Sequence, residues 1–449
     1  MPILVEQHQQ VTLVDGKRTR IVRLNNAATT PPFQTTLEAV NAFLQTYGAL
    51  HRGAGPNANQ TYETVSDAIQ EIRTFVGASR NHELLFTQNT SDAINLFARL
   101  LKLKKTDVVL TTDIEHTSNN LPWRYNTPAH VVTVRSGDDG SLDYADLEQK
   151  AQKHAKHLRV LAFTGASNQT GYIPDIKRIA LLAHRYKALL FIDAAQLAPH
   201  RPIDIKKMGI DALAFSAHKI YAPFGIGVLA LPKRLLDTEP VNPGGGSIDM
   251  ISDQRIVWAP PRTRHQTGTW NVTGIVALAK SCETIRKTGW RSIVSHEKEL
   301  VRYAAKKLST VPGITMYVSP EKYVSENRIG TFPFNLAGYH HALISAILDH
   351  EYGIETRAGT ICNHRLVREW FSVSDTEQRK IENEIRKGNR LASYGIVRAS
   401  LGIQNTKKDV DALVEALTEI ALYGPRLRYR ANKKEETFEP IRKTRRTGR

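Results

Sequence analysis

The sequence predicts an α/β fold: a mostly parallel sheet in a large domain, followed by a smaller α+β domain. Three observations carry this. Short runs that are apolar throughout recur along the first half of the chain, and helix-period stretches alternate with them. Around residues 259–261 the sequence APPR breaks the pattern, and longer helical stretches follow. Strands without polar alternation suit a sheet covered on both faces, and strand–helix alternation suits parallel βαβ units.

The elements follow in order. Residues 84–87 (LLFT) form the first expected strand, and SDAINLFARLL after it reads as a helix. Residues 108–112 (VVLTT), 131–134 (VVTV) and 159–163 (RVLAF) are further strands. Residues 188–192 (ALLFI), 212–215 (ALAF) and 227–230 (GVLA) complete the series. Long helices are expected over 272–288 and 292–309. From about residue 311 shorter pieces take over: GITMYV, RIGTFPF and a helix over 342–352. The expected division is an N-terminal segment (1–20), a large domain (21–290), a small domain (291–423) and a flexible basic tail (424–449). The tail is polar, basic and poor in apolar residues, which favours disorder.

The 449 residues are 41% apolar and 23% charged, ordinary globular usage that excludes a disordered or fibrous chain. Two cysteines cannot build a secreted disulfide framework, nor a metal site alone. The opening MPILVEQHQQ lacks the basic and apolar regions of a signal peptide, and no apolar run approaches a membrane span. A reducing, cytoplasmic setting is the expectation. Formal net charge is +17, of which residues 426–449 carry +7, from ten basic and three acidic side chains. Any polyanion or nucleic-acid binding is therefore expected mainly at that tail.

The densest chemistry lies in FIDAAQLAPH and FSAHKIYAPFGIG. One strand ends at Asp193 and another at Ser216, His218 and Lys219. Ligands of open α/β sheets bind at the carboxyl ends of strands. Pyridoxal phosphate needs a lysine for its Schiff base and an acid against its pyridinium nitrogen. Either residue alone reads as a helix cap or a solvated amine; the pair, with Gln196 and His218 beside it, points to the cofactor. In QNTSD, Thr90 and Ser91 fit a phosphate site at a helix N-terminus or plain N-capping. His116, in TDIEHTSNN, follows a strand and is placed to stack on a ring or to sit in a surface loop. Asn168, in SNQTG, reads as a donor to a phenolic oxygen or as a turn former. Cys362, in RAGTIC, sits near Arg357 and is either a nucleophile or a small buried side chain. Cys282 lies in an apolar-periodic helix and reads as inert. Arg398, in VRASLGIQN, suits a substrate carboxylate or a structural ion pair.

With these motifs in hand, the chain resembles the class V group of pyridoxal-phosphate enzymes. Within it, the chain is similar to the Suf-type (group II) cysteine desulfurases and selenocysteine lyases. The likeness runs from about residue 20 to 422 through LNNAATTPP, HRGAG, LLFTQNTSDAINL, DIEHTSNNLPW, SNQTGYIPD, FIDAAQLAPH, FSAHKIYAPFGIGVL, PGGGSIDMI, TGTWNV, RAGTIC and VRASLGIQNT. It implies the type I, aspartate-aminotransferase-like fold, usually a homodimer. It implies Lys219 as the Schiff-base lysine and Cα proton carrier, Asp193 against the pyridinium nitrogen and His116 on the ring. Gln196 and Asn168 would approach the phenolic oxygen, and Thr90, Ser91, Ser216 and His218 the phosphate. Thr269 would reach the phosphate of the neighbouring subunit. Arg398 would bind the substrate carboxylate, with Arg357 and His51 lining the pocket. Cys362 matches the nucleophile that takes sulfur from L-cysteine as a persulfide, leaving L-alanine, for onward passage to an acceptor protein. Selenocysteine lyase, a carbon–sulfur β-lyase, an epimerase and an aminotransferase are the alternative class V activities. A non-catalytic polyanion binder is the alternative outside the class. The chain departs from the family at Thr360-Ile361, where His-His is usual, at Asn363, where Ala is usual, at WNVTG and in its longer, more basic tail.

Overall fold

The structure is a computed structural model and describes residues 1–5, 9–50 and 53–441. Seven strands form its main sheet: β1 (His82–Thr87), β2 (Val108–Thr112), β3 (His130–Val134), β4 (Leu158–Thr164), β5 (Leu189–Asp193), β6 (Ala212–Ser216) and β7 (Gly227–Pro232). They are the seven runs expected from sequence. Their spatial order is β1-β7-β6-β5-β4-β2-β3. All neighbours pair in parallel except β7, which runs antiparallel to both β1 and β6. β2, β5 and β6 are buried or nearly so along their whole length, as helices cover both faces.

Parallel neighbours throw their carboxyl ends to one edge. Thr112, Thr164, Asp193 and Ser216 therefore share a rim, and the loops leaving it carry the polar motifs. Gly227 allows β7 to close on the next segment. A Cβ there would stand 2.4 Å from the Asn89 carbonyl carbon, so only glycine fits.

A second sheet has four strands: β8 (Ile314–Met316), β9 (Thr331–Leu336), β10 (Arg357–Gly359) and β11 (Ile396–Ser400), in the order β8-β9-β11-β10 and antiparallel throughout. Helices Trp290–Leu308, His341–Tyr352 and Lys407–Tyr423 pack with it around Leu300, Phe332, Phe334, Ile347, Val397 and Leu417. Val22 and Leu24 belong to this second core, because Val22–Arg23 pairs in parallel with Ile354–Glu355. The N-terminal stretch thus crosses to the second sheet before entering the first.

A buried polar clasp seats the second sheet on the rim of the first. Glu297, on the helix Trp290–Leu308, accepts from Arg201 Nη1, from the Gly330 amide at 3.1 Å, and lies 2.7 Å from His200 Nδ1. Buried Arg328 donates to the Asp139 carbonyl (2.9 Å), its carboxylate (2.8 Å) and the Thr170 carbonyl (3.1 Å). At Gly171, with φ at +70°, a Cβ would fall 2.4 Å from the Ile329 carbonyl oxygen. The Glu297 carboxyl is buried, a cost that His200 and Arg201 outweigh, which holds its pKa at about 2 against the ordinary 4.5. A depressed folded pKa contributes stability above the unfolded value and loses it as pH falls. Glu297→Ala is expected to cost about 3–5 kcal/mol, since it strands Arg201 in the interior. Urea titrations should show that loss in full at pH 7, shrinking as pH falls from 4.5 towards 2.

The C-terminal segment corrects the sequence expectation of a flexible tail. Tyr429–Asn432 (β12) and Thr437–Pro440 (β13) form an antiparallel hairpin on the helix His341–Tyr352; residues 442–449 lie outside the described residues. Buried Glu351 anchors it, accepting from the Arg426 amide (2.8 Å), the Leu427 amide (3.1 Å) and the Tyr429 hydroxyl (2.9 Å). Phe438 lies 5.8 Å from the His340 ring. Part of the local charge is spent internally, in the pairs Arg426–Glu419 and Arg430–Glu439. No helix among the described residues is long and apolar enough to cross a membrane.

Candidate active site

A cavity of about 380 Å³ opens where the second sheet overhangs the carboxyl rim of the first. It gathers Thr90, Ser91, His116, Asn168, Asp193, Gln196, Ser216, His218, Lys219, Arg357, Cys362 and Arg398, drawn from most of the chain's length. Two predicted residues are not in that set. Thr269 is exposed and does not line this cavity, and His51 lies outside the described residues.

One wall is the N-terminus of the helix Thr90–Leu100. Asn89 caps it, its side chain accepting from the Asp92 amide at 3.0 Å. That leaves Thr90 and Ser91 free of the capping task. Ser216 Oγ accepts from the Thr90 amide and meets Thr90 Oγ1, both at 2.6 Å, and Ser91 Oγ meets Ser118 Oγ at 2.5 Å. Four hydroxyls thus cluster where a helix dipole points into a cavity, a setting that favours an anion. Gly227 keeps the adjoining backbone close by excluding a Cβ.

Asp193 ends β5 at the cavity floor. Its Oδ1 accepts from the Ala195 amide at 3.0 Å, and no other hydrogen bond engages the carboxylate among the described residues. Burial pushes its pKa up, while that amide and Lys219 pull it down. Lys219 follows β6 within the short helical turn Ala217–Lys219. Its amine has no hydrogen-bond partner among the described residues, and burial lowers its pKa. The backbone around it is held by the N-terminal segment, as the Thr30 amide (2.9 Å) and the Thr29 hydroxyl (3.1 Å) donate to the His218 carbonyl. Gln196 Nε2 fixes that same segment through the Ala27 carbonyl at 2.6 Å.

His116 Nδ1 accepts from the Ser118 amide at 3.1 Å, so the neutral ring carries its proton on Nε2. Burial first, then Lys219 and Arg398, lowers its pKa to about 3. His218 is lowered to about 4 by burial and Lys219. Behind His116 lies Glu115, which sequence reasoning missed. Its carboxyl accepts from Thr112 Oγ1 (2.7 Å), Asn119 Nδ2 (2.6 Å) and the Thr164 amide (2.8 Å), joining the ends of β2 and β4. Burial drives its pKa up to about 8 despite those bonds.

Arg357 and Arg398 stand directly opposite each other across β10 and β11. Like charges in that position destabilise a sheet unless an anion joins them. Arg398 is fully buried; it donates to the Asn168 carbonyl (3.0 Å) and Asn25 Oδ1 (3.3 Å), and its Nε has no partner among the described residues. Burial and Arg357 lower its pKa to about 9. This pair matches a carboxylate in charge and fork geometry.

Cys362 is exposed on a tight turn, closed by the Asn363 amide to the Thr360 carbonyl at 3.1 Å. Both central residues are left-handed, Ile361 with φ at +49° and Cys362 at +59°. Such conformations cost about 1–3 kcal/mol each and need outside support. Asn168 Nδ2 donates to the Ile361 carbonyl (3.0 Å), Gln169 Nε2 to the Thr360 carbonyl (2.6 Å), and the Thr117 amide to the Cys362 carbonyl (2.9 Å). Asn363, in place of the family's alanine, caps the next helix by accepting from the Leu366 amide at 3.2 Å. Asn168 therefore holds the cysteine turn, a task the sequence did not reveal. Gln169 does the same and was missed; its only signal was a second amide beside Asn168. Gln169→Leu is expected to lower turnover by about tenfold through misplacement of the thiol. Cofactor uptake, followed by visible absorption, should stay intact.

The donor set suits pyridoxal phosphate. A buried carboxylate with one oxygen unpaired, an unpartnered amine, a neutral imidazole and a hydroxyl-lined helix terminus surround one cavity. Among the described residues no cluster of three or more metal-binding side chains exists.

The aminotransferase class-V family model matches residues 22–413. The chain therefore belongs to the class V aminotransferase family. It is 32% identical over 411 residues to a probable cysteine desulfurase of Halalkalibacterium halodurans, covering 90% of this chain and 94% of that one. A probable cysteine desulfurase of Staphylococcus aureus is 31% identical over 414 residues, covering 90% and 93%. Among solved structures, the apo cysteine desulfurase of Thermococcus onnurineus superposes with a TM-score of 0.78 at 28% identity, covering 89% of this chain and 94% of that one. A cysteine desulfurase of Escherichia coli superposes at 0.74, also 28% identical, covering 88% and 94%. The fold is that of the type I pyridoxal-phosphate enzymes, as the sequence resemblance implied.

Proposed function

We propose that this protein is a pyridoxal-phosphate-dependent cysteine desulfurase. It moves the sulfur of L-cysteine onto Cys362 and releases L-alanine. The observation that carries this reading is the placement of Cys362, on a tethered, strained turn over the same cavity that holds Lys219 and Asp193.

When bound, the cofactor supplies an electron sink for negative charge at the substrate Cα. The residues of the chain do the rest. Asp193 holds a proton at the ring nitrogen through its unpaired carboxylate oxygen. Thr90, Ser91, Ser216 and His218 hold the phosphate. Neutral His116, on the cavity wall, would hold the ring without adding charge. Arg398 and Arg357 take the substrate carboxylate and so fix the direction of its sulfur. Lys219 is the attachment point of the cofactor and the base at Cα, and it later returns a proton. The Cys362 thiolate attacks the substrate sulfur: an S–S bond forms, and the C–S bond breaks with its electron pair left on the three-carbon fragment. Protonation of that fragment gives alanine. A reductant or an acceptor protein then takes the sulfur from Cys362.

Thr269, exposed and outside the cavity, supports the family expectation that it serves a neighbouring subunit in a homodimer. Incubation with L-cysteine and a thiol reductant tests the reading. Alanine and sulfide in equal amounts are expected. Pyruvate and ammonia would replace it with a carbon–sulfur β-lyase, and no product from cofactor-loaded protein would end it.

A further inference from the structure

The C-terminal hairpin lies beyond residue 413, where the family match ends, yet it packs against Gly359, on the strand whose first residue, Arg357, lines the cavity. Its turn is fastened by the Arg390 amide, which donates to the Lys433 carbonyl at 2.9 Å. Glu436 adopts a left-handed backbone there, with φ at +54°, and turns its carboxylate inward. Oε1 is buried without a hydrogen-bond partner among the described residues and lies 3.7 Å from His341 Nε2. A Cβ at Gly359 would stand 3.9 Å from that same oxygen. Gly359 ends the strand that begins with Arg357 and leads into the Cys362 turn. Arg357 and Arg390 are the cations whose charge bears on this carboxylate. His341 is kept neutral by burial, with its pKa at about 4, so it offers Glu436 no compensating charge.

A half-buried carboxylate with an unpaired oxygen and no Lys or Arg within ion-pair distance among the described residues exerts a field rather than a bond. We propose that Glu436 sets the affinity of the active site for amino acids, acting through Arg357 to weaken the hold of the arginine pair on the substrate carboxylate. The hairpin then acts from behind the pocket wall, through the strand Arg357–Gly359. This rests on reading Arg357 and Arg398 as the carboxylate site of an amino-acid pocket. Weakened binding has a use in an enzyme that must release its amino-acid product, because a hold exerted equally on substrate and transition state lowers KM without raising kcat.

The test compares wild type, Glu436→Gln and Glu436→Asp, each alone and with Arg357→Gln, as cofactor-loaded protein. Two quantities are read: KM against kcat for L-cysteine, and the Kd of L-alanine by calorimetry. Glu436→Gln keeps the side chain's shape and removes its charge. It is expected to lower both KM and the alanine Kd about threefold to tenfold, with a smaller change in kcat. Glu436→Asp should stay near wild type, and in the Arg357→Gln background the effect of Glu436→Gln should vanish. Unchanged constants in Glu436→Gln, equal shifts with and without Arg357, or no alanine binding to any variant would overturn the proposal. Failure of wild type to make alanine from L-cysteine would instead sink the desulfurase reading, and the calorimetric comparison would still decide the role of Glu436.

Discussion

Lys219→Ala is expected to slow alanine formation from L-cysteine by about 10⁴-fold or more. The magnitude follows from what else the cavity offers. A base at Cα must be unprotonated yet strong enough to take a carbon-bound proton. Burial lowers the Lys219 pKa, and no hydrogen bond among the described residues ties its amine down, so it is the cavity's strongest candidate for that base. His116 and His218 are held at about 3 and 4 and are too weak to replace it. Asp193 has one oxygen on the Ala195 amide, and its free oxygen is the one assigned to the cofactor's ring nitrogen. Removing the amine therefore removes both the cofactor's attachment point and the proton carrier. Stopped assays of alanine check the rate, and loss of the visible absorption of the lysine-bound cofactor checks the attachment. A variant that keeps more than a tenth of wild-type activity would refute these roles for Lys219. An added small primary amine should restore part of the rate, because the rest of the pocket is untouched.

Cys362→Ala is expected to cut desulfuration of L-cysteine by roughly 10²–10³-fold while leaving cofactor binding in place. The thiol stands at the end of a turn with two left-handed residues in succession, supported by Asn168, Gln169 and the Thr117 amide. Strain of this kind persists only where surrounding contacts insist on it. Here it presents one side chain to the cavity, and that side chain is the proposed nucleophile. Cys282 supplies the control. It is fully buried in the helix Val272–Thr288, and burial pushes its thiol well above the ordinary range. Cys282→Ala should therefore leave the rate at wild-type level within error. Assays of alanine in the two cysteine variants decide between a nucleophilic and a packing role for each thiol.

Much of the first sheet was legible because its strands are apolar on both faces and end in polar clusters. Buried parallel strands leave that signal whatever their neighbours are. Asp193, Ser216 and Lys219 were legible for the same reason, standing where such strands stop. Other features depend on contacts distant in sequence and leave no local mark. Glu115 looks like any loop carboxylate until Asn119 and Thr164 close on it. Gln169 shows its role only when the turn at Thr360, far along the chain, arrives against it. The tail misled most: its composition signals disorder, and a main anchor is a buried glutamate on a helix some 75 residues earlier. The left-handed pair Ile361-Cys362 is likewise hidden, since isoleucine is among the residues least suited to that conformation.

The mass of the Cys362 peptide after brief exposure of cofactor-loaded protein to L-cysteine, without reductant, tests the central claim most directly. A gain of one sulfur atom on Cys362, removed by a thiol reductant and absent from the Lys219→Ala variant, is the predicted result. Alanine formed in equal amount while Cys362 stays unmodified at every time sampled would contradict it.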